Sequence, residues 1–273
     1  MLSKDIGLDT KSISRLSKKG LSPKVLQEQL EQELDTTLEV WRAQGVNVIK
    51  KYGYYYFDTA FTPIEEAQFC IVDIETNGSK IEKHQIIEIA AIKVKNGKII
   101  DTFDTLVKTQ EINPHITQIT GITAFDTKDA PQLKETLLKF KLFLGDAIFV
   151  AHDVKFDYGF ISKSLQKIGL PPLLNRSLCS LALAERTITS YRYALSYLND
   201  TFHLNPNPRH HRAMSDVMTT YGLFLLSLKN IPKEVKNVED LIKFSKEAPR
   251  KKRPKFDPLI KEEEERKESS EVS

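Results

Sequence analysis

Cysteine is nearly absent, with only Cys70 and Cys179 in 273 residues. The two stand far apart inside apolar segments, so they supply neither a disulfide framework nor a thiolate zinc site, and they read as small buried residues of a reduced compartment. Nowhere do about 18 apolar residues run together, so no membrane-spanning helix is expected. Residues 1 to 20 lack the continuous apolar segment that a secretory signal carries. There is no large excess of either charge: 40 Lys and Arg against 37 Asp and Glu give +3. That balance admits a nucleic-acid partner without arguing for one, because such surfaces need local clusters of cations rather than a global surplus. No internal repeat is visible. The expectation is a cytoplasmic globular protein with no membrane partner. Its 40% apolar residues are enough for a sizeable core.

The chain falls into three parts, residues 1–65, 66–230 and 231–273. In the first, Ser22-Pro23 offers a helix start. Leu26, Leu30, Leu34 and Leu38, then Trp41, form one apolar stripe that Gly45 ends. Val46 to Ile49 and Tyr54 to Phe57 flank a turn at Gly53 and predict a β-hairpin. A helix and then a hairpin resembles the end of a winged-helix unit, with Lys50, Lys51 and the tyrosines on a phosphate backbone. The alternative is that these leucines and aromatics simply pack the unit onto the next domain.

From Phe69 the pattern changes to strands. Phe69 to Ile74 is a short apolar run suited to a buried central strand. Ile86 to Val94 and Ile99 to Val107 flank Asn96-Gly97, a strong signal for a two-residue hairpin turn. Helices are expected over Leu133 to Leu144, His152 to Ile168, Ser180 to Arg186, Tyr193 to Asn199 and Ala213 to Leu228, with another buried strand at Ala147 to Ala151. This order implies an α/β fold, a mixed sheet covered by helices. Beyond Lys229 the sequence alternates a basic run at 250–253 with an acidic one at 262–265. It predicts a disordered tail, within which 256–260 (FDPLI) is a small apolar island.

Candidate chemistry begins at Asp73 and Glu75. Two apart on a strand, they project from one face at its C-terminal end. Asp157 falls in the first turn of the helix after Ala151, on the face of Phe160 and Ile161. Asp216 shares a face with Ala213, Thr220 and Leu223. Four carboxylates near one sheet face could not all stay ionised in a dry core without compensating charge. Hard oxygen ligands with no cysteine point to magnesium or manganese, and a pair of such ions suits an in-line phosphoryl displacement. Histidine is the side chain whose reference pKa, about 6.5, suits a general base for the attacking water, which makes His211 the candidate. His210 and His152 could compete for that role, but both read better as structural.

Asp73-Ile74-Glu75, His152 to Asp157 and His211 to Asp216, in this order, resemble the three motifs of the DEDDh group of DnaQ-like 3′–5′ exonucleases. The match looks closest to the proofreading epsilon subunit of bacterial DNA polymerase III and the exonuclease domain of PolC-type polymerases. Thr120-Gly121-Ile122, Cys179-Ser180-Leu181 and Leu183-Ala184 also resemble stretches between those motifs, and the similarity covers roughly residues 66 to 230. It implies a ribonuclease H-like fold, a five-stranded mixed sheet with helices around it, and metal-dependent proofreading hydrolysis that releases nucleoside monophosphates. Two Mg2+ (or Mn2+) are implied. Asp73, Glu75 and Asp216 would hold the ion beside the nucleophilic water, Asp73 would bridge to the second, Asp157 would support that second ion through water, and His211 would be the base. Thr76, His152 and Phe156 would meet the 3′-terminal nucleotide. Implied partners are a single-stranded 3′ DNA end, the polymerase III catalytic subunit and, through the tail, the sliding clamp. An RNA-trimming or repair exonuclease and a silent DNA-binding adaptor are the alternatives. One departure stands out: Asp153 occupies the place of the family's Asn. Next to substrate phosphates it should face away or pair with Lys155 or Arg212.

Overall fold

The computed structural model describes residues 6–208 and 211–259. Three short helices open it, α1 (Thr10–Leu16), α2 (Pro23–Gln29) and α3 (Leu34–Ala43), followed by the hairpin β1 (Val48–Lys51) and β2 (Tyr54–Phe57). The single helix expected from Ser22 to Gly45 is broken at Leu30, whose backbone is extended. The reason lies in the spacing. Leucines every fourth residue drift by about 40° per step around an α-helix, so a straight rod would carry Leu26 and Leu38 well apart around its axis. Breaking it lets Leu26 and Trp41 reach one core with Leu16, Leu21 and Phe57. Tyr52 and Gly53 both take positive φ at the hairpin tip, as a two-residue type I′ turn demands.

The larger unit is a five-stranded sheet in the order β5-β4-β3-β6-β7, with β3 at Gln68–Thr76, β4 at Ile86–Lys95, β5 at Lys98–Leu106, β6 at Ile148–Ala151 and β7 at Ser177–Cys179. β3, β4 and β5 are antiparallel, and β6 and β7 add in parallel. Asn96 and Gly97 form the β4–β5 turn, both with positive φ.

Helices α4 (Pro114–Thr120), α5 (Ala124–Thr127), α6 (Leu133–Leu144), α7 (Val154–Lys167), α8 (Ser180–Thr187), α9 (Leu195–Phe202), α10 (Ala213–Lys229) and α11 (Val238–Glu247) complete the described chain. On one face of β3, Cys70, Val72 and Ile74 pack with Phe140 of α6 and Tyr158, Ile161 and Leu165 of α7. On the other, Phe69 and Ile71 pack with Ala213, Val217 and Phe224 of α10. Each fully buried Leu, Ile or Phe in these layers contributes roughly 1.5–3 kcal/mol of transfer free energy.

Val238–Glu247 lies in the stretch expected to be disordered, yet it is a helix. Asn237 caps it through the Asp240 N–H, and Val238, Leu241 and Ile242 are buried against the second layer. Its apolar residues are few but fall on one face, so the pattern vanishes in a composition average and is plain in a helical projection. Within this helix Glu239 is buried and accepts two hydrogen bonds of 2.6 Å from Arg176 and one of 2.7 Å from Thr59, tying the N-terminal unit to the start of β7. The acidic run at 262–265 and the end of the 256–260 island lie outside the described residues.

Candidate active site

β3 is nine residues long but pairs with β6 only over Phe69 to Ile71. Its C-terminal half therefore extends past the end of β6, and Asp73 and Glu75 sit on this overhang, on the α10 side. A register shift between Glu75 and Thr76 ends the regular pairing with β4 and turns the chain away.

One ligand-capable atom each from Glu75, His211 and Asp216 lies within 4.8 Å of the others. Asp73 belongs to the same cluster: burial pushes its carboxyl well above the usual range, and Asp157, Asp216 and Glu75 push it further. Burial, then the charges of Asp216 and Glu88, raises Glu75 to about 8, with Arg212 opposing. Asp157 is only 3% exposed. Burial raises it to about 8 as well, against hydrogen bonds from its own backbone N–H and that of Ile74.

The expectation that all four acids share one sheet face needs correction. Asp73, Glu75 and Asp216 meet on the α10 side, whereas α7 packs on the opposite face with Tyr158 and Ile161. Asp157 reaches the cluster from beneath because β6 stops at Ala151 and leaves the Ile74 N–H without a strand partner on that side.

His211 is exposed, with φ of 59°, a left-handed backbone uncommon for a residue with a side chain. Its anchor is Glu88, which the sequence reading missed. Glu88 is 2% exposed and lies directly across from Glu75 in the β3–β4 register. Two acids facing each other across strands repel. Arg212 resolves the clash, donating to Glu88 at 2.8 and 3.2 Å, while the Ala213 N–H donates at 2.9 Å. Glu88 thus caps α10 and fixes the residues between His211 and Asp216. An acid set within the apolar run Ile86 to Ile92 was the signal available.

Thr76 is buried at the register shift, and Phe156 is 40% exposed with its ring 5.6 Å from that of Phe160. His152 has both ring nitrogens engaged, Nδ1 3.1 Å from the Ser180 hydroxyl and Nε2 2.9 Å from the Tyr193 carbonyl. The carbonyl only accepts, so Nε2 carries the proton and Nδ1 accepts from Ser180. Burial keeps this imidazole below its ordinary pKa. His210 lies outside the described residues. Asp153 takes the left-handed conformation that Asn and Asp tolerate best. It is exposed and makes no ion pair among the described residues; Arg212 goes to Glu88 instead, and Lys155 is not a partner either.

A mixed five-stranded sheet between helix layers, with acids gathered at the overhanging end of its central strand, defines a ribonuclease H-like nuclease fold. Residues 70–224 match the family model described as RNase_T, Exonuclease, and the chain belongs to that exonuclease family. DNA polymerase III PolC-type of Caldanaerobacter subterraneus subsp. tengcongensis is 34% identical over 220 residues, 77% of this chain and 16% of that protein. The PolC-type enzyme of Staphylococcus haemolyticus is 37% identical over 164 residues, 59% of this chain and 11% of that protein. The chain therefore spans a small fraction of the curated relatives it matches. Among solved structures, exonuclease X in complex with 5′ overhanging duplex DNA is 27% identical with a TM-score of 0.50, over 64% of this chain and 99% of that one. The zinc-bound E. coli ExoI–ssDNA complex is 18% identical with a TM-score of 0.56, over 62% and 42%, and shares the fold. Among the described residues no helix is long and apolar enough to cross a membrane.

Proposed function

We propose that this chain is a metal-dependent 3′–5′ DNA exonuclease that releases nucleoside monophosphates and proofreads during replication in the cytoplasm. The observation that carries the reading is the cluster of Glu75, His211 and Asp216 within 4.8 Å, with Asp73 crowded against the same acids. Residues 66–230 carry the activity, and the segments on either side are accessories.

The donor set fits divalent cations. It consists of carboxylates and one imidazole with no thiolate, and burial, then the charges of neighbouring acids, pushes its carboxyls above their ordinary range, a penalty that bound cations would relieve. Asp73, Glu75 and Asp216 would hold one magnesium or manganese ion, and Asp73 with Asp157 a second. When bound, such ions supply positive charge at the attacking and leaving oxygens of a phosphoryl displacement. The chain's own contribution is positional. The overhang of β3 presents Asp73 and Glu75, the Ile74 N–H orients Asp157, and Glu88 locks Arg212 so that His211 and Asp216 face the acids. His211 stands on the solvent side of the cluster, where it can take a proton from the attacking water and pass it to bulk. Thr76 follows Glu75 and exposed Phe156 precedes Asp157, so both would meet the terminal nucleotide, Phe156 by stacking on its base. His152, with both nitrogens occupied, would act mainly by orienting the start of α7.

DNA is favoured as substrate because the solved structures include exonuclease X and ExoI complexed with DNA and the relatives are DNA polymerases. Those relatives are PolC-type rather than epsilon subunits, and a polymerase III catalytic subunit is the partner the reading implies. Nothing in the relatives' names points to a sliding clamp. The reading is tested by comparing hydrolysis rates on matched single-stranded DNA and RNA oligonucleotides, with wild type and His211→Ala. DNA should be preferred, and the substitution should slow hydrolysis by about 10²- to 10⁴-fold. Faster RNA cleavage, or full activity without His211, would overturn the assignment.

A further inference from the structure

After α11 the chain stays on the protein. Its Lys251 N–H donates to the Glu185 carbonyl at 2.7 Å, and Arg250 and Arg253 lie 3.0 and 3.8 Å from the Glu185 carboxylate. The Arg253 guanidinium sits over the Tyr193 ring at 5.3 Å. Further on, the Tyr197 hydroxyl donates to Asp257 at 2.5 Å, and Arg192 is 3.8 Å from the same carboxylate. Residues 250–257 thus form a strap docked along α8 and the segment leading into α9.

This strap carries Arg250, Lys251, Lys252, Arg253 and Lys255 over six positions. Glu185 answers the two arginines. Lys251, Lys252 and Lys255 are exposed and make no ion pair among the described residues. Gathering like charges on a docked segment is unfavourable unless an anion meets them. The strap is linked to the candidate site through Tyr193. Tyr193, beneath Arg253, gives its carbonyl to His152, which leads directly into α7 with Phe156 and Asp157. Phe256, at the end of the basic run, is 80% exposed, and Arg192 lies within 6 Å of two tyrosine rings, 5.6 Å from that of Tyr191 and 5.8 Å from that of Tyr197. The tyrosine rings are covered by these guanidinium groups, with Tyr193 and Tyr197 buried, so Phe256 is the open aromatic face beside the cations. A single strand requires both, phosphates on the cations and a stacked base on the ring.

We propose that residues 250–256 guide the single strand into the nuclease site, with Lys251, Lys252 and Lys255 on backbone phosphates and Phe256 stacking on a base. The inference rests on the nuclease reading of the acidic cluster, but binding alone tests it. The full chain is titrated in EDTA against a fluorescein-labelled oligothymidylate of about 20 nucleotides, at several salt concentrations between about 50 and 200 mM. The combined Lys251→Ala, Lys252→Ala and Lys255→Ala variant leaves the arginines on Glu185, so the strap stays docked. Its affinity should fall by about tenfold or more at 0.1 M salt, and the slope of log K against log salt should become shallower by about 2, near 0.7 for each cation lost. Phe256→Ala should weaken binding with the slope unchanged. The same change at Lys24, Lys134 and Lys233, also exposed, should alter neither quantity. Wild-type affinity and slope in the strap variant would overturn the proposal and turn the strap toward a protein partner, as would equal losses in the control. Because no turnover is measured, a chain that binds through the strap yet fails to hydrolyse DNA would refute only the nuclease reading.

Discussion

Replacing Glu88 by alanine should cost far more activity than stability. In the folded chain this carboxylate accepts from Arg212 at 2.8 Å and from the Ala213 N–H at 2.9 Å. Its side chain is 3% exposed, whereas that of Arg212 is 43% exposed. Breaking a fully buried ion pair costs about 3–5 kcal/mol. Here the guanidinium can swing into water, so the charge term is discounted to about 1 kcal/mol, and the orphaned Ala213 N–H adds about another 1. For a chain of this size about 2 kcal/mol lowers Tm by roughly 4–8 °C, leaving a folded protein at 25 °C. Arg212, however, stands next to His211 and begins the helix that carries Asp216. A displacement of about 1 Å at catalytic groups costs about 10²-fold in rate. Single-turnover hydrolysis of a labelled single-stranded 3′ end should therefore slow by about that factor. Glu88→Gln, which keeps an acceptor for the Ala213 N–H, should recover part of both losses. If Glu88→Ala melts earlier but cleaves within about twofold of wild type, Glu88 is only a structural acid and the account of how His211 is placed is wrong.

Two further outcomes follow from the same structure. Asp153→Asn keeps a residue suited to the left-handed backbone and removes an anion that raises Asp157. The variant should fold normally and show a KM for DNA several-fold lower, and an unchanged KM would mean that Asp153 faces away from the phosphates. At Glu239, burial raises the pKa, but the Arg176 charge and the hydrogen bonds from Arg176 and Thr59 outweigh it and hold the carboxyl below its ordinary 4.5. A depressed carboxylate contributes stability above its unfolded pKa and loses it as pH falls through the folded value. Denaturant titrations of wild type and Glu239→Gln should then differ most at pH 7, with the gap narrowing only as pH falls below 4.5 and through the depressed folded value. A constant gap would show that the ion pair is not what binds α11 to the start of β7.

The candidate site residues stood out in the sequence for a physical reason. Paired acids on a strand and acids on inward helix faces are costly without a function, so Asp73, Glu75, Asp157 and Asp216 stood out once taken together. Most long elements were legible too, because α6 and α10 are periodic, Gly145 stops α6, and β4 and β5 flank the Asn96-Gly97 turn. β7 escaped because three residues carry no period. The helix Pro114–Thr120 escaped although Asn113 and Pro114 mark its start and Gly121 its end. The gap left by β6, through which Asp157 reaches the cluster, depends on strand register. No local pattern encodes that. Glu88 and Arg212 are 124 residues apart, and the partner of a buried acid at such separation is settled only by packing.

The most direct measurement is digestion of a primer-template with a 3′-terminal mismatch by wild type and by Asp73→Ala, each with magnesium and with EDTA. The account predicts that wild type with magnesium shortens the primer from its 3′ end and releases nucleoside monophosphates. EDTA should stop the reaction, and Asp73→Ala should be inactive in both conditions while melting as a folded protein. Cleavage that survives chelation, or near-wild-type cleavage by Asp73→Ala, would contradict it.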